Sequence, residues 1–453
     1  MSMYGADVAE LRALAARFDR TADQLDANRM AVGNAIQISA WIGPFAARFR
    51  MQWNSEHSTR IHSAAMLLRA GAKTLRTNAD DQERASAVDG SAGSVHRSAG
   101  QLRYPGEGSS PEDVRNWWQS LTKDQQDRLI RDDPLRIGNL NGVPIESRVE
   151  ANRIGADLRL DAIAARLAEL GDKAPDVNPL LMGLPAVGTM QLLARERWLE
   201  ERAALLREQA YLEAVSRGDR ALVVYDPSKE RIVEMIGSPG PNTKTVLTYL
   251  PGTSADMNGF YSGSTQQVAT YLAQSDRSGG TVAFVYKDGP WSTWPLQSVG
   301  RTNIDMDFAA KEGVQLADFQ AAMQTEPYLK DARTAALAHS AGMSILSASE
   351  ISGAHYDKEL SLGGAMLAPG WHADSATDYY HYQYGVDAIN YANGLGDLPA
   401  ESNIFEQRVL APHTDTFLGV KFQNEISNHL RIASGPAQNQ AALQSMYGDI
   451  HRD

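Results

Sequence analysis

RTAALAHSAGMSILSA, residues 333–348, is the stretch on which the fold turns. Ala335 to Ala338 are short and apolar, as a buried strand requires, and Met343, Ile345 and Leu346 begin a helical pattern. Between them lies Ala338-His339-Ser340-Ala341-Gly342. A serine at a strand-to-helix turn, with small residues two before and two after it, reads as a nucleophile elbow. The turn is so tight that the flanking positions nearly touch, and only Gly or Ala fits. The hydroxyl then stands at a helix N-terminus, whose free N–H groups and dipole favour a developing negative charge. The usual first position is Gly, and here it is Ala338. A serine in an ordinary strand–helix loop is the competing reading. The order of the elements around it decides between the two.

Outward from the elbow, the period of the sequence is that of strands alternating with helices. Ala221 to Asp226 and Arg231 to Ile236 read as two strands joined by Pro227-Ser228-Lys229. Thr245 to Leu250 is a third, ending in Pro251-Gly252-Thr253-Ser254, and Thr281 to Tyr286 a fourth. Helices are expected near 265–274 and 316–323. Past the elbow helix, strands are expected at 360–367 and 379–384. This alternation predicts an α/β fold, a mainly parallel sheet covered on both faces. Its functional loops then sit at the carboxyl ends of the strands.

Four features fall there. Ser340 is the candidate nucleophile. In the Pro251–Ser254 loop, Gly252 lets the backbone approach a substrate. Thr253 N–H, with Ala341 N–H, is then a candidate oxyanion donor, the alternative being an ordinary Pro-Gly turn. Asp387 follows the strand where an acid must sit to orient a histidine, with Asp374 and Asp378 as rivals. For the base, the chain order Ser, acid, His leaves only His413, His429 and His451 beyond Asp387. His451 is almost at the terminus and is expected to be disordered. His339 is read as packing against the site or shaping it. Trp291 and Trp294, after another strand end, either line an acyl pocket or pack as a buried pair.

The totals set limits. With 453 residues the chain is too long for one ordinary domain. Net charge is −12, and the first 100 residues hold 12 Lys and Arg against 10 Asp and Glu. The remainder therefore carries the whole acidic excess, which argues against nucleic acid as the partner. The chain has no cysteine, so disulfides, thiolate catalysis and Cys-ligated metals are excluded. The histidines are scattered, no phosphate loop is visible, and neither metal nor cofactor is expected. No basic patch followed by an apolar run marks a signal peptide, and no stretch reaches the ~20 apolar residues of a membrane span.

The N-terminal part has its own pattern. Residues 5–38 are helical in spacing, Trp41-Ile42-Gly43-Pro44 interrupts, and Phe45, Phe49, Trp53, His57 and Ile61 continue four apart. Two helices joined by a Trp-x-Gly turn resemble the WXG-type helical hairpins of the type VII secretion system. That resemblance implies a helical partner or self-association through residues 1–90, and a secreted or cell-envelope location; otherwise the chain is expected in the cytoplasm. The family's export signal pairs a Tyr with an acid four positions later. Tyr104-Pro-Gly-Glu107 does not have that spacing.

Residues 91–111 have linker composition, and Ser110-Pro111-Glu112-Asp113 reads as a helix cap. Residues 112–218 are a helical lead-in and arm, and 219–453 the catalytic domain. The lead-in contains Trp117-Trp118, Gln125-Gln126, Leu140-Asn141-Gly142-Val143-Pro144, Arg148 and Ala151-Asn152, and is expected to pack on the catalytic body. It resembles the lead-in of an actinobacterial α/β-hydrolase-like family of poorly known function, often fused to WXG-type hairpins. The resemblance implies Asp387 as the acid, because Asp-x-Ile matches that family's motif. It implies His429 as the base, with His413 in a structural loop as the alternative. The activity implied is a serine esterase acting on an ester, lipids included. The rival readings are a degenerate scaffold for assembly and an exported antibacterial lipase toxin.

Overall fold

The computed structural model describes residues 8–38, single positions between 50 and 76, 104–106, 108–177, 185–293, 302–392, 396–417 and 420–452. The Trp41-Ile42-Gly43 turn, most of the expected second helix, the linker up to Arg103, and Trp294 lie outside the described residues. The chain forms two compact units. One holds residues 1–103 and 178–190, the other 104–177 and 191–453.

The first unit contains helix α1, Val8–Ile38, with Ala15 and Ala22 fully buried. Its polar side chains meet partners whose numbers fall as its own rise. Asp19 pairs with Arg76, Asp26 accepts from Arg69 at 2.8 Å, and Arg29 donates to Ser58 at 3.3 Å. Arg50 donates to the Ile36 carbonyl at 3.2 Å. Such a ladder runs antiparallel.

The second unit is built on a sheet of β1 (Ala221–Asp226), β2 (Arg231–Ile236), β3 (Thr245–Leu250), β4 (Thr281–Asp288), β5 (Arg333–His339), β6 (Lys358–Leu362), β7 (Asp378–Tyr384) and β8 (Glu406–Leu410). The eight strands lie in the order 1-2-4-3-5-6-7-8. β2 runs antiparallel to both its neighbours, and every pair from β4 to β8 is parallel. A two-stranded ribbon, β9 (Thr414–Phe417) and β10 (Val420–Gln423), stands apart. This is an α/β-hydrolase-like fold. The central strands are apolar throughout because helices cover both faces. All six residues of β3 are buried, and the two faces feed separate cores.

On β5, Leu337 and Ala335 enter one core and Ala336 and Ala338 the other. The alanines leave room for the helix after the turn, α10 (Gly342–Ile351), to lie close to the sheet. Eight of its ten residues are buried.

The lead-in forms three short helices, α2 (Pro111–Ser120), α3 (Lys123–Asp132) and α4 (Pro134–Gly138). Ser110 closes the capping box on α2 as read, its Oγ accepting from Asp113 N–H at 3.1 Å. The segment packs against the sheet domain as expected. Asn139 exchanges two 2.9 Å bonds with the Tyr225 backbone and so occupies the open edge of β1. Asn152, buried, donates to Gly138 O and Leu222 O. Helices α5 (Ile145–Leu170) and α6 (Pro185–Ser216) make the arm, tied by the Arg159–Glu208 ion pair. α7 (Met257–Tyr261), α8 (Gln267–Ser275), α9 (Met306–Gln324), α11 (Glu425–Arg431) and α12 (Pro436–His451) complete it. Among the described residues no helix is long and apolar enough to cross a membrane.

Two expectations are corrected. The strand expected at 360–367 ends at Leu362, because Gly363 takes φ +52° and turns the chain out of the sheet. His451 is ordered: it ends α12, its Nδ1 lies 2.8 Å from Tyr447 O and its ring stacks on Tyr447.

Candidate active site

Ser340 follows β5 and precedes α10 at φ +50°, a left-handed conformation that a residue with a Cβ rarely adopts. Three bonds hold it there. Ser340 N–H donates to Leu362 O at 3.1 Å, and Ser340 O accepts from Met343 N–H at 3.0 Å and from Ala365 N–H at 2.9 Å. The crowding inferred from the sequence is present on the far side of the turn. A Cβ on Gly342 would stand 2.7 Å from Pro251 O. On the near side Ala338 is fully buried and its methyl is accommodated beside Leu250 of β3, so the position does not demand Gly.

The loop after β3 lies against the elbow. A Cβ on Gly252 would meet His339 Nδ1 at 2.5 Å and Ser340 Cβ at 3.1 Å. Trp291 is buried and its indole N–H donates to Pro251 O at 3.0 Å, while Ser254 N–H donates to Ser292 O at 2.7 Å. Trp291 thus packs behind the loop and holds it. Among the bonds formed by described residues, neither Thr253 N–H nor Ala341 N–H is a donor. The Thr253 hydroxyl is buried without a partner as well.

Asp387 comes after β7 and is 1% exposed. Its Oδ1 accepts from Ile389 N–H at 2.9 Å and lies 2.7 Å from His429 Nδ1. A carboxylate only accepts, so the proton of this bond sits on Nδ1, and in the neutral ring that leaves Nε2 as the acceptor. The helix bearing His429, α11, starts at Asn424, whose side chain caps Ser427 N–H at 3.1 Å. His339, buried at the elbow, lies with its Nε2 3.1 Å from His429 O and its ring 5.0 Å from the His429 ring. The histidine, the acid and the serine turn therefore gather at the carboxyl ends of β5, β6 and β7. Among the described residues no hydrogen bond joins Ser340 Oγ to the His429 ring.

The rival acids lie at the other end of β7, whereas His413 meets the residue next to His429. Asp374 is 3.0 Å from His355 Nδ1, and Asp378 pairs with Lys358. His413 donates its backbone N–H to Asn428 Oδ1 at 2.9 Å. A residue that sequence reasoning passed over is Gly363. A Cβ there would stand 3.0 Å from His429 Nδ1 and 3.2 Å from Asp387 Oδ2. The dipeptide Gly363-Gly364 at a strand end was the available signal. A cleft of about 1040 Å³ opens at the opposite end of the sheet, beside Arg333 and Asp357, and takes no part in this site.

No family model matches the chain. Two uncharacterized proteins of Mycobacterium tuberculosis, from strains CDC 1551 and H37Rv, are each 30% identical to it over 164 residues, 35% of this chain. The match spans 24% of the length of each of those relatives. Among solved structures, a dienelactone hydrolase from Anabaena variabilis overlays 49% of this chain and 91% of its own, with a TM-score of 0.29 and 13% identity. An alpha-beta serine hydrolase homologue from Coxiella burnetii overlays 42% of this chain and 86% of its own, with a TM-score of 0.24 and 15% identity. The strand order and the elbow, rather than these overlays, define the fold.

Proposed function

We propose that the chain is a serine hydrolase that cleaves an ester, lipid esters included, through an acyl-serine intermediate. The observation that supports this most is the Asp387–His429 pair, 2.7 Å apart, at the sheet end where the Ser340 turn stands. A serine hydroxyl is a weak nucleophile by itself. In this reading Ser340 Oγ attacks the ester carbonyl while His429 Nε2 takes its proton, and Asp387 holds the ring in that tautomer and stabilises the imidazolium. The carbonyl oxygen, now negative, is received by the N–H groups of Thr253 and Ala341. The alcohol leaves with the proton from His429. Water, deprotonated by the same ring, then releases the acid. The missing Ser340–His429 bond fits a free enzyme, where such contacts are often long until substrate aligns them.

The test is hydrolysis of a short-chain ester by the purified chain and by Ser340→Ala. Turnover should fall at least ~10⁴-fold in the variant. Undiminished hydrolysis would remove Ser340 from the mechanism. For residues 1–90 we propose, on their resemblance to WXG-type hairpins alone, docking to a helical partner and export by the type VII route.

A further inference from the structure

His339 joins parts of the site that no other side chain described above touches together. It is covalently next to Ser340. Its Nε2 lies 3.1 Å from the backbone oxygen of His429, so that nitrogen carries the proton and donates. Its other edge faces the loop after β3, where even a methyl at Gly252 would sit 2.5 Å from Nδ1. Its ring lies 5.0 Å from the His429 ring at an interplanar angle of 36°. The side chain is 7% exposed, so the arrangement has little freedom to relax.

We infer that His339 is a positioning residue, a neutral strut that sets His429 and the Thr253 loop at their working distances from Ser340. The inference rests on the serine-hydrolase reading of this site. The reason for a histidine is its shape and its donor. A planar ring fills the space between the Gly252 backbone and the His429 ring, and its N–H fixes the backbone that carries His429. α11 is only seven residues long, and that bond ties its last turn to the elbow. The strut must also stay uncharged, because an imidazolium 5.0 Å away would oppose protonation of His429. Burial, then the neighbouring His429, pushes the His339 pKa down to about 3, opposed by its bond to His429 O and by Asp387. His429 and Asp387 are the ionisable groups that bear on it.

The test compares the wild type with His339→Phe, which keeps a ring and loses the donor, and His339→Gln, which keeps an N–H donor. Two readouts are used on folded protein: the rate at which a fluorophosphonate labels Ser340, and kcat and KM for a short-chain ester. His339→Phe should lower labelling and kcat at least about tenfold, as a small misplacement of reacting groups does, with KM little changed. His339→Gln should recover most of that loss. If His339→Phe labels at the wild-type rate, or if His339→Gln is as slow as His339→Phe, the strut is refuted. Should His339→Phe not fold, near-wild-type labelling of folded His339→Gln supports the donor role, and a tenfold loss refutes it. A wild type that fails to label at all would instead overturn the serine-hydrolase reading.

Discussion

At the scale of single residues, the site depends on small groups placed where a methyl does not fit. Gly363 combines φ +52° with a Cβ position 3.0 Å from His429 Nδ1. Gly363→Ala should therefore lower ester turnover by about 10-fold or more through displacement of the His429–Asp387 pair, while leaving most of the fold intact. Normal turnover in that variant would mean that the pair does not act in catalysis. Asp387→Asn should retain the fold and lose on the order of 10³–10⁴-fold in kcat, because an amide N–H facing Nδ1 favours the other tautomer. His413→Ala, by contrast, keeps the backbone N–H that meets Asn428 and should lose little rate. Ser340 stood out in the sequence by its small neighbours, while the preference for Asp387 over Asp374 and Asp378 rested mostly on the Asp-x-Ile resemblance. The choice between His429 and His413 was not legible from spacing, since both follow the acid. It rested on a resemblance, and the structure adds the 2.7 Å contact of His429 with Asp387. Nothing in the composition of Ala338-His339-Ser340 announces that His339 reaches a backbone oxygen ninety positions away.

At the scale of elements, the short apolar runs at 221–226, 231–236 and 245–250 became strands with those bounds, because β-branched and aromatic residues bounded by turn formers leave few other solutions. Strand direction was not legible. The antiparallel course of β2, and the placing of β4 outside β3, arise from pairings between segments far apart in the chain. β8 and the β9–β10 ribbon were missed because their residues are mixed in polarity, and β8 is exposed along much of its length. One packing contact makes a prediction about pH. Glu359 of β6 is fully buried beside the half-buried Glu350 of α10. Glu350 accepts from Tyr379 OH at 2.9 Å and from the Trp371 indole, while neither oxygen of Glu359 meets a donor. Burial, then the Glu350 charge, holds the Glu359 pKa well above the carboxylate range, and burial raises that of Glu350. The folded chain therefore binds this proton more tightly than the unfolded chain. The associated stability is fully present below the ordinary carboxylate pKa of about 4.3 and is lost as pH rises through the raised value. Thermal melts of wild type and Glu359→Gln across that range should show the variant gaining relative stability as pH rises. Parallel pH curves would show that the pair shares no proton.

At the scale of the whole molecule, the chain is two compact units. The sequence foretold a helical N-terminal part and an α/β body, since the period of the apolar residues changes between them. The lead-in was harder to read: its three short helices are held to β1 by Asn139 and Asn152, side chains whose partners are backbone atoms about seventy to ninety residues away. Deleting residues 1–90 should leave the body folded and its ester turnover within about twofold of the full chain, because the stretch between them has the Ser- and Gly-rich composition of a linker. Loss of folding would show instead that the two units share a core. The whole account stands on Ser340 being an activated nucleophile. The most direct measurement is intact-mass spectrometry of the full chain after treatment with a fluorophosphonate, followed by mapping of the adduct. The account predicts a single phosphonylated species, with the label on Ser340, formed in the wild type and absent from Ser340→Ala and nearly absent from His429→Ala. A wild type that stays unlabelled, or that labels equally well after His429→Ala, would contradict it.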